Sequence, residues 1–75
     1  MLRIKTVEQA MMILKASKTY AVVELQGYPS VRIMKSDLIN SLKNHDIKDD
    51  LVNYDGNPVE WLYDDQQRTL YVPAM

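Results

Sequence analysis

Val59-Glu60-Trp61-Leu62-Tyr63-Asp64-Asp65-Gln66-Gln67-Arg68-Thr69-Leu70-Tyr71-Val72 is the stretch whose reading decides the fold. Aromatic and β-branched residues flank the polar run Asp64-Asp65-Gln66-Gln67, which predicts a β-hairpin over 59–63 and 68–72. A loop of two or of four residues pairs Trp61 with Leu70 and Val59 with Val72. Side chains alternate across a strand, so these four share one face, the expected core face. Glu60, Leu62, Thr69 and Tyr71 lie on the other. Upstream, Asp55-Gly56-Asn57-Pro58 is a turn, because Pro58 restricts Asn57 to extended backbone.

Towards the N-terminus, residues 45–51 are polar and acidic and read as a loop. Ser36 is a good N-cap and Asp37 a good first-turn residue, with Leu38, Ile39 and Leu42 as an apolar stripe. A helix is expected over 37–45. Residues 20–25 and 31–34 flank Gln26-Gly27-Tyr28-Pro29 and predict a second hairpin. Thr6-Val7-Glu8-Gln9 matches a capping box. The Thr6 hydroxyl accepts from the Gln9 amide, and the Gln9 side chain reaches back to Thr6. Val7, Ala10, Met11 and Leu14 then recur at helical spacing, so a helix is expected over 7–17, preceded by a short strand over 2–5. The order β-α-β-β-α-β-β predicts an α+β fold, one antiparallel sheet with two helices on one face. The strand connections read as too short for a parallel sheet.

The chain has 75 residues, with 47% hydrophobic and 25% charged residues. That is ordinary globular usage, and it excludes disordered and low-complexity classes. Residues 1–75 read as a single domain. With no cysteine there is no disulfide framework or thiolate nucleophile, and one histidine leaves no histidine metal cluster. A domain this small keeps a net stability of about a few kcal/mol, so a homodimer is as open an expectation as a monomer. No apolar run is long enough for a membrane span, and Met1-Leu2-Arg3-Ile4-Lys5 lacks a signal-peptide core. The chain reads as cytoplasmic, with no membrane partner.

Chemistry-bearing patterns are few. The two glycines, Gly27 and Gly56, both fall in turns and do not form a phosphate-cradling loop. Ser41 and His45 share a helix face, but no orienting third group accompanies them. Asp46, Asp49, Asp50 and Asp55 fail the calcium-loop spacing, since Lys48 or Leu51 falls at the third position. No catalytic residue, cofactor or metal ligand is assigned, and the chain reads as non-enzymatic.

Five tyrosines and one tryptophan without phenylalanine favour interfaces, where an apolar body with a polar edge is useful. Glu60, Leu62, Tyr63, Asp64, Asp65 and Tyr71 are the expected partner-binding residues. Charge is uneven, with +4 over residues 1–43 and -5 over residues 44–75. Such asymmetry can steer a charged partner. The rival assignment is a nucleic-acid-binding surface of Arg3, Lys5, Lys15, Lys18, Arg32 and Lys35, with a steep salt dependence.

Val31-Arg32-Ile33-Met34-Lys35-Ser36-Asp37-Leu38-Ile39-Asn40-Ser41-Leu42 resembles the wing-strand-to-helix stretch of excisionase-type winged-helix domains. Thr6-Val7-Glu8-Gln9-Ala10 is similar to their opening helix. The resemblance implies a DNA-binding role with Arg32 and Lys35 as wing contacts to phosphate. Only Ser17-Lys18-Thr19 stands where that family carries its recognition helix, so the DNA-reading element is missing. The leading expectation is therefore a small regulator, inhibitor or accessory subunit of the phage or prophage kind. It would dock on a larger protein, and its acidic stretch 46–65 could mimic nucleic-acid phosphates.

Overall fold

The structure is a computed structural model and describes residues 1–16, 22–26, 33–53 and 55–73. Its elements are β1 (Leu2–Ile4), α1 (Val7–Ala16), β2 (Val22–Gln26), α2 (Lys35–Leu42), β3 (Trp61–Asp64) and β4 (Thr69–Pro73). The fold is α+β, as expected, with two helices and an antiparallel three-strand unit, β1-β3-β4. The fourth strand extends this sheet to the order β1-β3-β4-β2. Among the described residues no helix is long and apolar enough to cross a membrane.

The fourth strand corrects the all-antiparallel reading, because β2 runs parallel to β4, with Val22 beside Thr69 and Gln26 beside Pro73. β1 and β2 therefore run in the same direction, with β3 and β4 inserted between them. The 17 residues from Lys5 to Ala21, α1 included, make this crossover. A parallel connection needs about a dozen or more residues, so this one suffices. Most of the expected hairpin of 20–25 with 31–34, its turn at 27–30 included, lies outside the described residues. Ile33 and Met34 are not strand. Tyr20, Ala21, Val31 and Arg32 lie outside the described residues. A β-rich local composition makes a strand of 22–26 but cannot choose its partner, which is a long-range matter.

The C-terminal hairpin forms with a shifted register. Leu62 stands opposite Tyr71, Tyr63 opposite Leu70 and Asp64 opposite Thr69. The expected pairs Trp61 with Leu70 and Val59 with Val72 are not made. The turn is the reason. Asp64 Oδ1 accepts from the Gln66 and Gln67 amides at 3.0 and 3.3 Å, and Arg68 closes the four-residue loop at φ 53°. This side-chain turn starts one residue later than expected, and turn geometry sets hairpin register. The slip totals two residues, which leaves every side chain on its expected face. Trp61, Leu70 and Val72 are buried as expected, whereas Val59 precedes β3 and is only partly buried.

α1 buries Val7, Ala10 and Leu14 along one stripe, with Met11 partly buried beside them. Its first-turn amides, which have no partner within the helix, are all satisfied. Val7 donates to the Asp49 carbonyl at 3.0 Å and Glu8 to the Ile47 carbonyl at 2.9 Å. Gln9 donates to Thr6 Oγ1 at 3.3 Å. The Gln9 side chain reaches the Lys5 amide at 2.9 Å instead of Thr6. Thr6 stands in an antiparallel bridge with Asp50, whose hydrogen bonds are made by the neighbouring Val7 amide and Lys5 carbonyl. The expected loop 45–51 is thereby tied to the start of α1. Its last residue, Leu51, donates to the Lys5 carbonyl at 2.8 Å and its carbonyl accepts from Val59 at 2.9 Å.

α2 spans Lys35–Leu42, earlier at both ends than the expected 37–45. Its N-cap is Met34, without a side-chain cap, and Ser36 falls inside the first turn. The Met34 carbonyl accepts from the Asp37 and Leu38 amides, so the main chain supplies the start that Ser36 was expected to supply. Leu38 and Leu42 point into the same core as Ile4, Val7, Ala10, Leu14, Leu51, Trp61, Leu70 and Val72. Both helices therefore pack on the sheet face that carries Trp61, Leu70 and Val72.

Candidate interaction surface

The other sheet face is built by alternation from the same strands. Leu62 is paired with Tyr71 on one side and with Arg3 on the other. Glu24 holds the register position beyond Tyr71. A row Arg3, Leu62, Tyr71, Glu24 thus crosses all four strands. Leu62 and Tyr71 are half-buried at its centre, and Arg3 is exposed. Among the described residues, neither helix contributes a buried side chain to this face. One step beyond the β1–β3 register, Lys5 meets Glu60, whose carboxylate lies 3.4 Å from Lys5 Nζ. With side chains 65% and 40% exposed, this ion pair orients the rim more than it stabilises the fold.

The expected partner-binding residues are only partly brought together. Leu62 and Tyr71 are direct neighbours, with Glu60 one position along. Tyr63 lies on the face of Trp61, not that of Leu62 and Tyr71, and packs partly buried against the core. There it lines an open groove with Met1, Leu2, Ile13 and Asp65. Asp65 is exposed at the hairpin tip. Asp64 is committed to the turn through its bonds to Gln66 and Gln67, so the loop conformation occupies one of its oxygens.

The rival basic set does not form one stripe among the described residues. Arg3 lies on the sheet face away from the helices. Lys15 stands in the last turn of α1, in the helix layer, and Lys35 opens α2. Lys5 is paired with Glu60. Lys18 and Arg32 lie outside the described residues. A phosphate-tracking surface needs its cations along one face.

The acidic loop has a structural role. Asp49 Oδ2 accepts from the Asp46 amide at 2.9 Å, and Asp46 Oδ1 accepts from the Lys48 amide at 3.1 Å. Among the described residues no three Asp, Glu or His side chains gather where they could hold a metal ion. The Ser41 hydroxyl donates to the Leu38 carbonyl at 2.7 Å, a bond internal to α2. Ser41 and His45 nevertheless share a small cavity with Asp50 and Trp61. Sequence spacing relates the first two, but no sequence signal relates them to the others. Asp50 is delivered by its bridge to Thr6, and Trp61 by β3.

No family model matches the chain, and neither a curated protein nor a solved structure matches it.

Proposed function

We propose that the protein is a small non-catalytic interaction module, acting as a regulator, inhibitor or accessory subunit that docks on a larger protein. The docking face is the side of the sheet turned away from the helices, with Leu62 and Tyr71 as its apolar centre and Arg3 and Glu60 on its rim. The observation that carries this reading is the direct pairing of Leu62 with Tyr71 on that face. Side chains opposite one another on neighbouring strands form one continuous surface. An aromatic and an aliphatic residue at the centre of a charged rim is the usual anatomy of a protein interface. Asp65, at the hairpin tip, belongs to the periphery of the contact.

Affinity capture with the tagged protein tests the reading, run with nuclease and across a salt series. One stoichiometric protein should survive nuclease and about 0.5 M salt, where exposed charges are well screened. Its recovery should fall at least about tenfold with Tyr71→Ala, the scale of a buried interface anchor. Retention of the partner by Tyr71→Ala and by Leu62→Ala alike, with both variants folded, refutes this face as the docking site. Recovery of nucleic acid lost with rising salt refutes the protein-partner reading itself.

A further inference from the structure

Among the described residues, one buried side-chain polar atom has no hydrogen-bond partner. Trp61 is 1% exposed, and its indole Nε1 is buried with no hydrogen-bond acceptor among the described residues. An indole N–H only donates, and a buried donor left unpaired is costly, so such a group creates a demand for an acceptor. Trp61 lines a cavity of about 70 Å³ together with Ser41, Leu42, His45, Asp50 and Leu51. A liquid water takes up about 30 Å³, so the space suits a group of a few heavy atoms.

The polar wall narrows the chemistry. Ser41 has spent its proton on the Leu38 carbonyl, which leaves its oxygen lone pairs as acceptors. The Asp50 carboxylate also accepts. An occupant that satisfies these groups accepts from Trp61 and donates to Ser41 and Asp50, with the His45 imidazole beside it able to donate or accept. A carboxylate brings acceptors only and meets the charge of Asp50. An ammonium brings donors only and leaves the indole unpaired. A primary carboxamide has one carbonyl acceptor and two N–H donors on a planar group of this size.

We infer that this cavity is a binding site for a primary carboxamide, either a free small amide or the side-chain amide of an asparagine or glutamine. The Trp61 indole donates to its carbonyl, and Ser41 Oγ and Asp50 accept from its NH2 group. The site is separate from the sheet face proposed for docking, and its existence does not depend on that reading.

The chain has one tryptophan, so its indole N–H gives a single, self-assigned resonance in a proton–nitrogen correlation spectrum. Formamide and acetamide, titrated into the intact protein, should move that resonance along a saturating curve with a roughly millimolar dissociation constant, as befits so few atoms. Asp50→Ala and Ser41→Ala should each weaken acetamide about fivefold, the worth of one hydrogen bond. Both residues are exposed, so the variants keep the fold even if Trp61→Phe does not. A blocked glutamine peptide and its glutamate counterpart distinguish the sources. Tighter binding of the glutamine peptide than of acetamide assigns the site to a partner's side chain, and the reverse assigns it to a free amide. Shifts that rise linearly for every probe, with exchange between the indole proton and water, overturn the proposal in favour of an ordered water only. Acetate binding as tightly as acetamide also overturns it.

Discussion

Leu70→Ala and Leu62→Ala make the same chemical change on two adjacent strands, with opposite expected outcomes. Leu70 is fully buried within the core of both helices and the sheet. Its truncation removes the transfer energy of the lost carbons and leaves a cavity, at a cost of about 3 kcal/mol or more. Leu62 is half-buried on the opposite face and loses about 1 kcal/mol or less, because less of its surface leaves water on folding. A domain of this length has a total stability of about 4–11 kcal/mol, so the first change threatens folding and the second does not. Urea titration followed by the emission of buried Trp61 separates them. With a denaturant slope of about 1 kcal/mol/M, the midpoint should fall by about 3 M for Leu70→Ala and by about 1 M or less for Leu62→Ala. Only Leu62→Ala should then be recovered folded yet deficient in partner capture. Equal losses for the two variants refute the alternation of faces, and with it the assignment of the outer face as a free surface.

Four further outcomes follow from local geometry. Thr6→Ala removes the acceptor for the Gln9 amide and should cost about 1 kcal/mol in thermal or urea unfolding. Gly56 sits at φ 78° with open space where a methyl group would stand, so Gly56→Ala should cost about 1 kcal/mol from backbone strain alone, read as a lower melting temperature. Asp64→Ala frees the Gln66 and Gln67 amides and should lower stability by about 1–2 kcal/mol, with the largest amide shifts confined to the hairpin loop. A double-mutant cycle on Lys5 and Glu60 should give a coupling of less than about 0.5 kcal/mol, since both side chains are substantially exposed.

Of the excisionase-like stretch 31–42, Val31 and Arg32 lie outside the described residues. Ile33 and Met34, the described end of the wing-like segment, are not strand. Lys35 opens a helix that packs into the core through Leu38 and Leu42. The stretch 46–65, read as a possible phosphate mimic, uses at least three of its carboxylates locally. Asp46 and Asp49 hold their own loop, and Asp64 holds the hairpin turn. Short acidic side chains near free amides bond to them readily, which is why Asp is common in turns.

Sequence alone determined most of the residues that lie inside, though not Leu51, which read as loop. The stripe Val7, Ala10 and Leu14, the pair Leu38 and Leu42, and the inward set Trp61, Leu70 and Val72 follow from helical and strand periodicity, which are properties of the backbone. The hairpin faces survived a register error because a slip of two residues preserves the alternation. Periodicity carries no information about which distant segments pair. The parallel docking of β2 on β4, the bridge of Thr6 to Asp50 and the union of Trp61 with Ser41, His45 and Asp50 therefore belonged to tertiary structure. Tyr63 shows the same limit. Its strand position was legible, but its contact with the core depended on helices brought over it from elsewhere in the chain. Local sequence sets the side to which a residue points, and long-range packing decides what it meets there.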